Sequence, residues 1–199
     1  MTPAIFGIAG PSLSQEERAF FADADPAGYI LFARNCEDKA QLRRLTDDLR
    51  SIHGREQLII SIDQEGGRVA RMKPPVWQRY PAGEAFARLW DIAPASAIEA
   101  ARANAEAMGR ELAEMGITVD YHAPFDVRRK ETDDVIGDRA LGSDPLQVAA
   151  LGRAVLDGMS RAGIVGCLKH MPGHGRATCD SHKELPRVAA SDEDLAVDL

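Results

Sequence analysis

Cysteine is scarce. Cys36, Cys167 and Cys179 are the only three in 199 residues, an odd number without metal-type spacing. That argues against a disulfide framework and for a reducing compartment. No stretch approaches the roughly 18 consecutive apolar residues of a membrane-spanning helix. Residues 1–8 have no basic segment and too short an apolar run for a secretory leader, so the expected location is cytoplasmic. Positive charge is also in short supply. The 24 Lys and Arg against 31 Asp and Glu give a formal charge of −7, which argues against nucleic acid and against an anionic membrane as partners. There is no G-x-G-x-x-G fingerprint and no Ser-centred nucleophile elbow. Gly66-Gly67 lacks the spacing and the Lys-Ser/Thr ending of a phosphate loop. Low-complexity tracts are absent as well.

What is present alternates. With 45% hydrophobic and 28% charged residues the composition suits a soluble globular domain. Apolar runs at residues 5–9, 28–32, 58–62, 117–121 and 164–168 predict five strands, the last of them buried. Ser14-Gln15-Glu16-Glu17 has the capping-box pattern that opens a helix. Leu42, Leu45, Leu49 and Ile52 recur at helical spacing, with Gly54 as the stop. An Ala-rich helix is predicted over 94–115, ended by Gly116. Ser143 or Asp144 caps another, with Pro145 in its first turn and Gly163 at its end. Residues 72–94, with Pro74, Pro75 and Pro81, read as a long loop. Ser191-Asp192-Glu193-Asp194 opens a last helix.

Strands alternating with helices imply a parallel sheet. Polar residues at the C-terminal end of nearly every strand favour a barrel over an open doubly wound sheet. A complete eightfold barrel takes roughly 250 residues. The expected fold is therefore α/β, a TIM-type (β/α)8 barrel truncated after about five β/α units. The expected organisation is a single domain over 1–199, incomplete at its C-terminus.

The chemistry gathers at the strand ends. Asp63 follows an apolar strand and precedes Gly66-Gly67, where the backbone can turn sharply and Arg68 and Arg71 add donors. It can accept hydrogen bonds from paired sugar hydroxyls, or simply cap a turn. Lys169 and His170 leave the fifth strand together, and the lysine must find acceptors. A structural salt bridge to a neighbouring strand would also satisfy it. Arg139 sits in a polar loop, as a functional group or an exposed surface arginine. Asp180 and His182 lie beyond Gly173 and Gly175, on a loop expected to be mobile. An imidazole can donate and accept protons near neutral pH, and a carboxylate can orient it. An exposed loop histidine is the plainer alternative. A metal-dependent hydrolase built on His170, His174, Asp180 and His182 is a further reading. However, Pro172 and Gly173 forbid a regular helix under the His170–His174 spacing, and no Glu follows His170. Neither a metal nor a cofactor is expected.

Three motifs together resemble glycoside hydrolase family 3. They are Asp63-Gln64-Glu65-Gly66-Gly67-Arg68-Val69-x-Arg71, the Gly137-Asp138-Arg139 loop, and Lys169-His170-x-Pro172-Gly173-His174-Gly175-x4-Asp180-Ser181-His182. The resemblance runs from Ile5 to the end of the chain. It implies a barrel enzyme whose partner is a small carbohydrate, an N-acetylglucosamine-containing muropeptide from cell-wall recycling. Asp63, Arg71, Arg139, Lys169 and His170 would hold the terminal sugar. His182, paired with Asp180, would be the proton donor and acceptor of a retaining mechanism. The family's nucleophile is an aspartate at the end of a later strand, so it is expected beyond Leu199. The competing expectation, from a different class, is an inactive sugar-binding remnant.

Overall fold

The computed structural model describes residues 1–122, 124–171 and 173–198. Ala123 of the fourth strand-end run, Pro172 of the loop motif and Leu199 lie outside the described residues. Five strands form one sheet: β1 (Thr2–Gly7), β2 (Pro26–Leu31), β3 (Ile59–Ile62), β4 (Val119–Asp120) and β5 (Val165–Gly166). Every pairing is parallel, and the spatial order is the chain order. A doubly wound sheet reverses its strand order partway across; this one never does, which is the winding of a barrel. All strand C-termini consequently share one end of the sheet.

The helices are α1 (Gln15–Ala24), α2 (Lys39–His53), α3 (Gly83–Trp90), α4 (Pro94–Glu114), α5 (Pro145–Arg161) and α6 (Asp192–Asp198). Local chemistry explains most of their ends. Ser14 and Glu17 make the full capping box of α1. Asp38 and Asp144 accept from Gln41 N and Gln147 N at the starts of α2 and α5. Gly116 follows α4 at φ 77°, a conformation in which a Cβ would also strike Thr46 Oγ1.

Two predictions need correction. The supposed loop over 72–94 contains α3. Its N-cap is Ala82, which has no side chain to satisfy the first amides, so the usual start signal is missing. Burial of Phe86 and packing on α4 hold the helix instead. The fifth strand is not buried. Ile164 is covered, but Val165 is 64% exposed and Leu168 39%. Among the described residues β5 pairs only with β4, and it is an edge of the sheet.

The sheet's two faces differ. Tyr29, Leu31, Ile60 and Ile62 alternate onto one face and are wholly buried, Tyr29 edge-on to Phe21 of α1 with ring centroids 4.9 Å apart. Leu42, Leu45 and Leu49 of α2 belong to the same core. On the other face Ile5, Ile59 and Val165 are substantially exposed. The helices cover one side, and the strand ends carry the polar residues above it.

Candidate active site

The end of β3 is a rigid turn. Gly66 has φ 92°, and a Cβ there would lie 2.2 Å from Pro81 O, so only glycine fits. Glu65 N donates to Val69 O at 2.9 Å and Val69 N returns to Gly66 O at 3.2 Å. The Gln64 side chain stitches the turn's far side, accepting from Arg71 N and donating to Met72 O. Gln64 N donates to Asp120 Oδ1 at 2.9 Å, which ties the end of β3 to that of β4.

This turn presents two carboxylates to cations from distant segments. Lys169, just past β5, donates to Asp63 Oδ1 at 3.0 Å and reaches Glu65 Oε1 at 2.6 Å. Arg139 lies in a 3-10 turn at Gly137–Arg139 and grips Glu65 through Nε and Nη2, both at 2.8 Å. Arg71 Nη2 stands 3.4 Å from Asp63 Oδ2. Arg68, by contrast, engages neither carboxylate: it donates to Asp138 and to the carbonyls of Asp134 and Val135, holding the loop that carries Arg139. Side-chain exposure is 3% for Glu65, 10% for Arg139 and 14% for Lys169. Charges this deep are tolerable only when paired and hydrogen-bonded. Burial pushes the Glu65 carboxyl up, but the Arg139 hydrogen bonds and the Lys169 charge outweigh it and hold the group at about 2. The exposed-surface reading of Arg139 is thereby overturned, and Lys169 finds its acceptors in Asp63 and Glu65 beyond β3, two strands away from β5.

A third carboxylate fixes His170. Asp126, fully buried, bonds His170 Nδ1 through Oδ2 at 2.6 Å and accepts from His174 N through Oδ1 at 2.6 Å. Burial raises the Asp126 carboxyl, but the His170 hydrogen bond and charge and the backbone bonds from His174 and His170 together outweigh it, so it lies below the usual range. The His174 ring stands edge-on to His170 at 5.8 Å. Beneath Glu65, His122 is buried with neither ring nitrogen partnered among the described residues, and burial lowers its pKa to about 4. Burial likewise pushes Asp120 well above the usual carboxylate range.

Asp180 and His182 form a separate pair. Asp180 Oδ1 accepts from His182 N at 2.9 Å and meets His182 Nδ1 at 2.7 Å. These bonds, the backbone one first, lower the Asp180 pKa. The His182 side chain is 77% exposed. Among the described residues no three or more His, Cys, Asp or Glu side chains are grouped to hold a metal ion.

Asp63, Arg71, Arg139, Lys169, His170 and His182 all line one cavity of about 380 Å³, with Asp180 behind His182. A larger cleft of about 610 Å³ lies beside the 64–72 turn, but it contains none of these six residues. Sequence reasoning missed Glu65, Asp126 and His122 as parts of the site. The spacing of Asp63 and Glu65, two carboxylates on one side of a strand end, was the available signal for Glu65.

A sequence profile of the Glycosyl hydrolase family 3 N terminal domain matches residues 5–198. A beta-hexosaminidase of Aromatoleum aromaticum is 40% identical over 185 residues, covering 92% of this chain and 51% of that protein. The crystal structure of NagZ from Neisseria gonorrhoeae in complex with N-trifluoroacetyl-D-glucosamine superposes with a TM-score of 0.93 at 34% identity, covering 99% of this chain and 58% of that one. A glycoside hydrolase family 3 beta-N-acetylglucosaminidase from Paenibacillus sp. superposes with a TM-score of 0.88 at 32% identity, covering 97% and 36%. The chain spans about half the length of the curated relatives it matches. Strand winding, the charged strand ends and these matches lead to one assignment: the chain belongs to glycoside hydrolase family 3 and has the TIM-barrel-like fold of that family's N-terminal domain.

Proposed function

We propose that the chain is the sugar-gripping part of a retaining β-N-acetylglucosaminidase. Its substrate is a terminal, non-reducing, β-linked N-acetylglucosamine on peptidoglycan fragments, handled in the cytoplasm during cell-wall recycling. The observation that carries this reading is the single cavity of about 380 Å³ lined by Asp63, Arg71, Arg139, Lys169, His170 and His182. The names of its relatives support it further.

Asp63 and the three cations make a ring of charged donors and acceptors suited to sugar hydroxyls. Asp126 occupies His170 Nδ1, which leaves Nε2 to face a ligand. Asp180 occupies His182 Nδ1 in the same way, so Nε2 is the atom left to exchange a proton. In the retaining reaction an enzyme carboxylate attacks the anomeric carbon while His182 protonates the departing oxygen. His182 then takes a proton from water as it attacks the glycosyl-enzyme. We place the nucleophile outside these 199 residues, with residues 1–199 as an incomplete part of a single barrel domain. The nearest strand-end carboxylates here are committed to Lys169, Arg71 and His170.

Titration of the purified chain with N-acetylglucosamine, beside a turnover assay on a chromogenic N-acetylglucosaminide, tests this. Binding without turnover is expected. Turnover lost in both Asp63→Ala and His182→Ala would put the nucleophile inside the chain, and no binding would remove the sugar reading. In a protein carrying the whole barrel, His182→Ala should slow natural substrates strongly. Glycosylation by an aryl glycoside with a good leaving group should suffer less, because that oxygen departs unprotonated.

A further inference from the structure

Glu65 is the more buried of the two carboxylates that face Lys169, and it joins two of the cations that the sugar reading assigns to the ligand. We propose that Glu65 is a positioning residue: it does not meet the sugar as its main task but aims the free N–H groups of Lys169 and Arg139 at it. The proposal rests on the sugar-binding reading for its ligand and on geometry for the rest.

Donor accounting carries the argument. A lysine ammonium has three N–H donors and a guanidinium five. Lys169 gives one to Asp63 and one to Glu65, which leaves a single donor for a ligand. Arg139 gives two to Glu65 and one from Nη1 to Val135 O, which leaves two. Glu65 thus takes one whole edge of the guanidinium and turns the opposite edge outward. The same carboxylate pins the ammonium from behind. Without it both cations would carry more free donors in less defined directions, and a long cationic side chain loses rotamer freedom whenever a ligand must order it.

Glu65 is equipped to act as that anchor. Its backbone is locked by the Glu65–Val69 bond and the Gly66 turn. Arg139 is locked from the other side, because Gly83 of α3 packs so closely that a Cβ there would lie 2.2 Å from Arg139 O. Below Glu65 the space bounded by His122, Phe86, Leu141 and Val155 is only about 10 Å³, near the lower limit for one water. The carboxylate has little solvent to turn to, so its orientation is dictated by the two cations.

The test compares Glu65→Gln and Glu65→Asp with the parent chain. Gln keeps the shape but replaces one acceptor with an N–H₂ donor facing a cation. Asp keeps the charge but is one methylene short of spanning both partners. Two readings are taken: the Kd for N-acetylglucosamine, and the Nε–Hε NMR resonance of Arg139. Both variants should bind the sugar about tenfold to a hundredfold more weakly, as expected for misdirecting charge-assisted hydrogen bonds. Both should also lose the shifted, slowly exchanging Arg139 signal. Sugar affinity equal to the parent in Glu65→Gln, or full recovery in Glu65→Asp, would overturn the proposal, since recovery would mean that charge matters and direction does not. If Glu65→Gln does not fold, Glu65→Asp alone decides on the same criterion. If the parent itself binds no sugar, the sugar reading falls and the Arg139 resonance decides positioning: persistence in the variants refutes it, and loss sustains it for another ligand.

Discussion

The cavity is built from two unlike halves. On one side Glu65, Lys169, Arg139 and Asp63 interlock across three segments of chain, with Glu65 and Arg139 separated by 74 positions. On the other, Asp180 and His182 are two residues apart, bonded mainly to each other, and the imidazole stands mostly in solvent. The first half is a buried ion network whose members satisfy one another. The second is a local pair that could form on almost any turn. A group that must grip a ligand in one orientation gains from burial and many partners. A group that must approach, give up a proton and take one back gains from freedom to move. The contrast between the halves therefore matches the division of labour proposed for them.

The most severe way to break the comparison is to remove a cation. Lys169→Met leaves Asp63 and Glu65 facing each other without their shared ammonium, and it should cost about 3–5 kcal/mol in denaturant unfolding. Asp180→Asn, measured beside it, should leave the denaturation midpoint unchanged. An equal loss in both would mean that the halves do not differ in rigidity.

Acid should separate them next. The unfolded chain protonates His122 near 6.5, and the folded chain only near about 4. Between those values the unfolded state binds more protons, so stability falls as pH drops through the window, by about 3 kcal/mol in all. Glu65 acts lower down. Its folded pKa of about 2 lies below the 4.5 of an ordinary glutamate, so its contribution is present above pH 4.5 and is lost as pH falls toward 2. His122→Leu should abolish the loss between pH 6.5 and 4 and keep the lower one. Asp120, which burial keeps protonated above its ordinary range, works in the opposite direction in both chains, so a His122→Leu chain whose pH dependence between 6.5 and 4 equals the parent's would refute the assignment.

Smaller effects sharpen the picture. Asp63→Asn should weaken N-acetylglucosamine binding by about 1.5–3 kcal/mol for each charge-assisted bond lost, read by calorimetry. His182→Ala should change neither the melting temperature nor sugar affinity measurably. A clear loss of affinity in His182→Ala would assign the loop pair to the clamp.

How much could be read without coordinates depended on the range of the interaction. The ends of α1, α2 and α5 were legible because Ser14 with Glu17, Gly54, and Asp144 with Pro145 act within one helical turn. The parallel order of the strands followed from their alternation with helices. The helix at Gly83–Trp90 was hidden because Ala82 is no capping residue and the burial of Phe86 depends on segments distant in the chain. The exposure of Val165 was hidden because an apolar run does not say which sides of a strand are covered.

The site divides along the same line. Residue types and spacing singled out Asp63, Lys169, Asp180 and His182, the resemblance to the family completed the set with Arg71, Arg139 and His170, and the Asp180–His182 pair is close to a property of its own tripeptide. Only the tertiary structure decided that Arg139 is buried rather than exposed, that Arg68 holds the Arg139 loop through Asp138, and that Asp126 holds His170. It also decided that Glu65, an unremarked member of the turn motif, is where Lys169 and Arg139 meet. The physical reason is that a buried charge is acceptable only beside its counter-charges. Those counter-charges come from strand ends and a loop that share one end of the sheet and lie far apart in the chain.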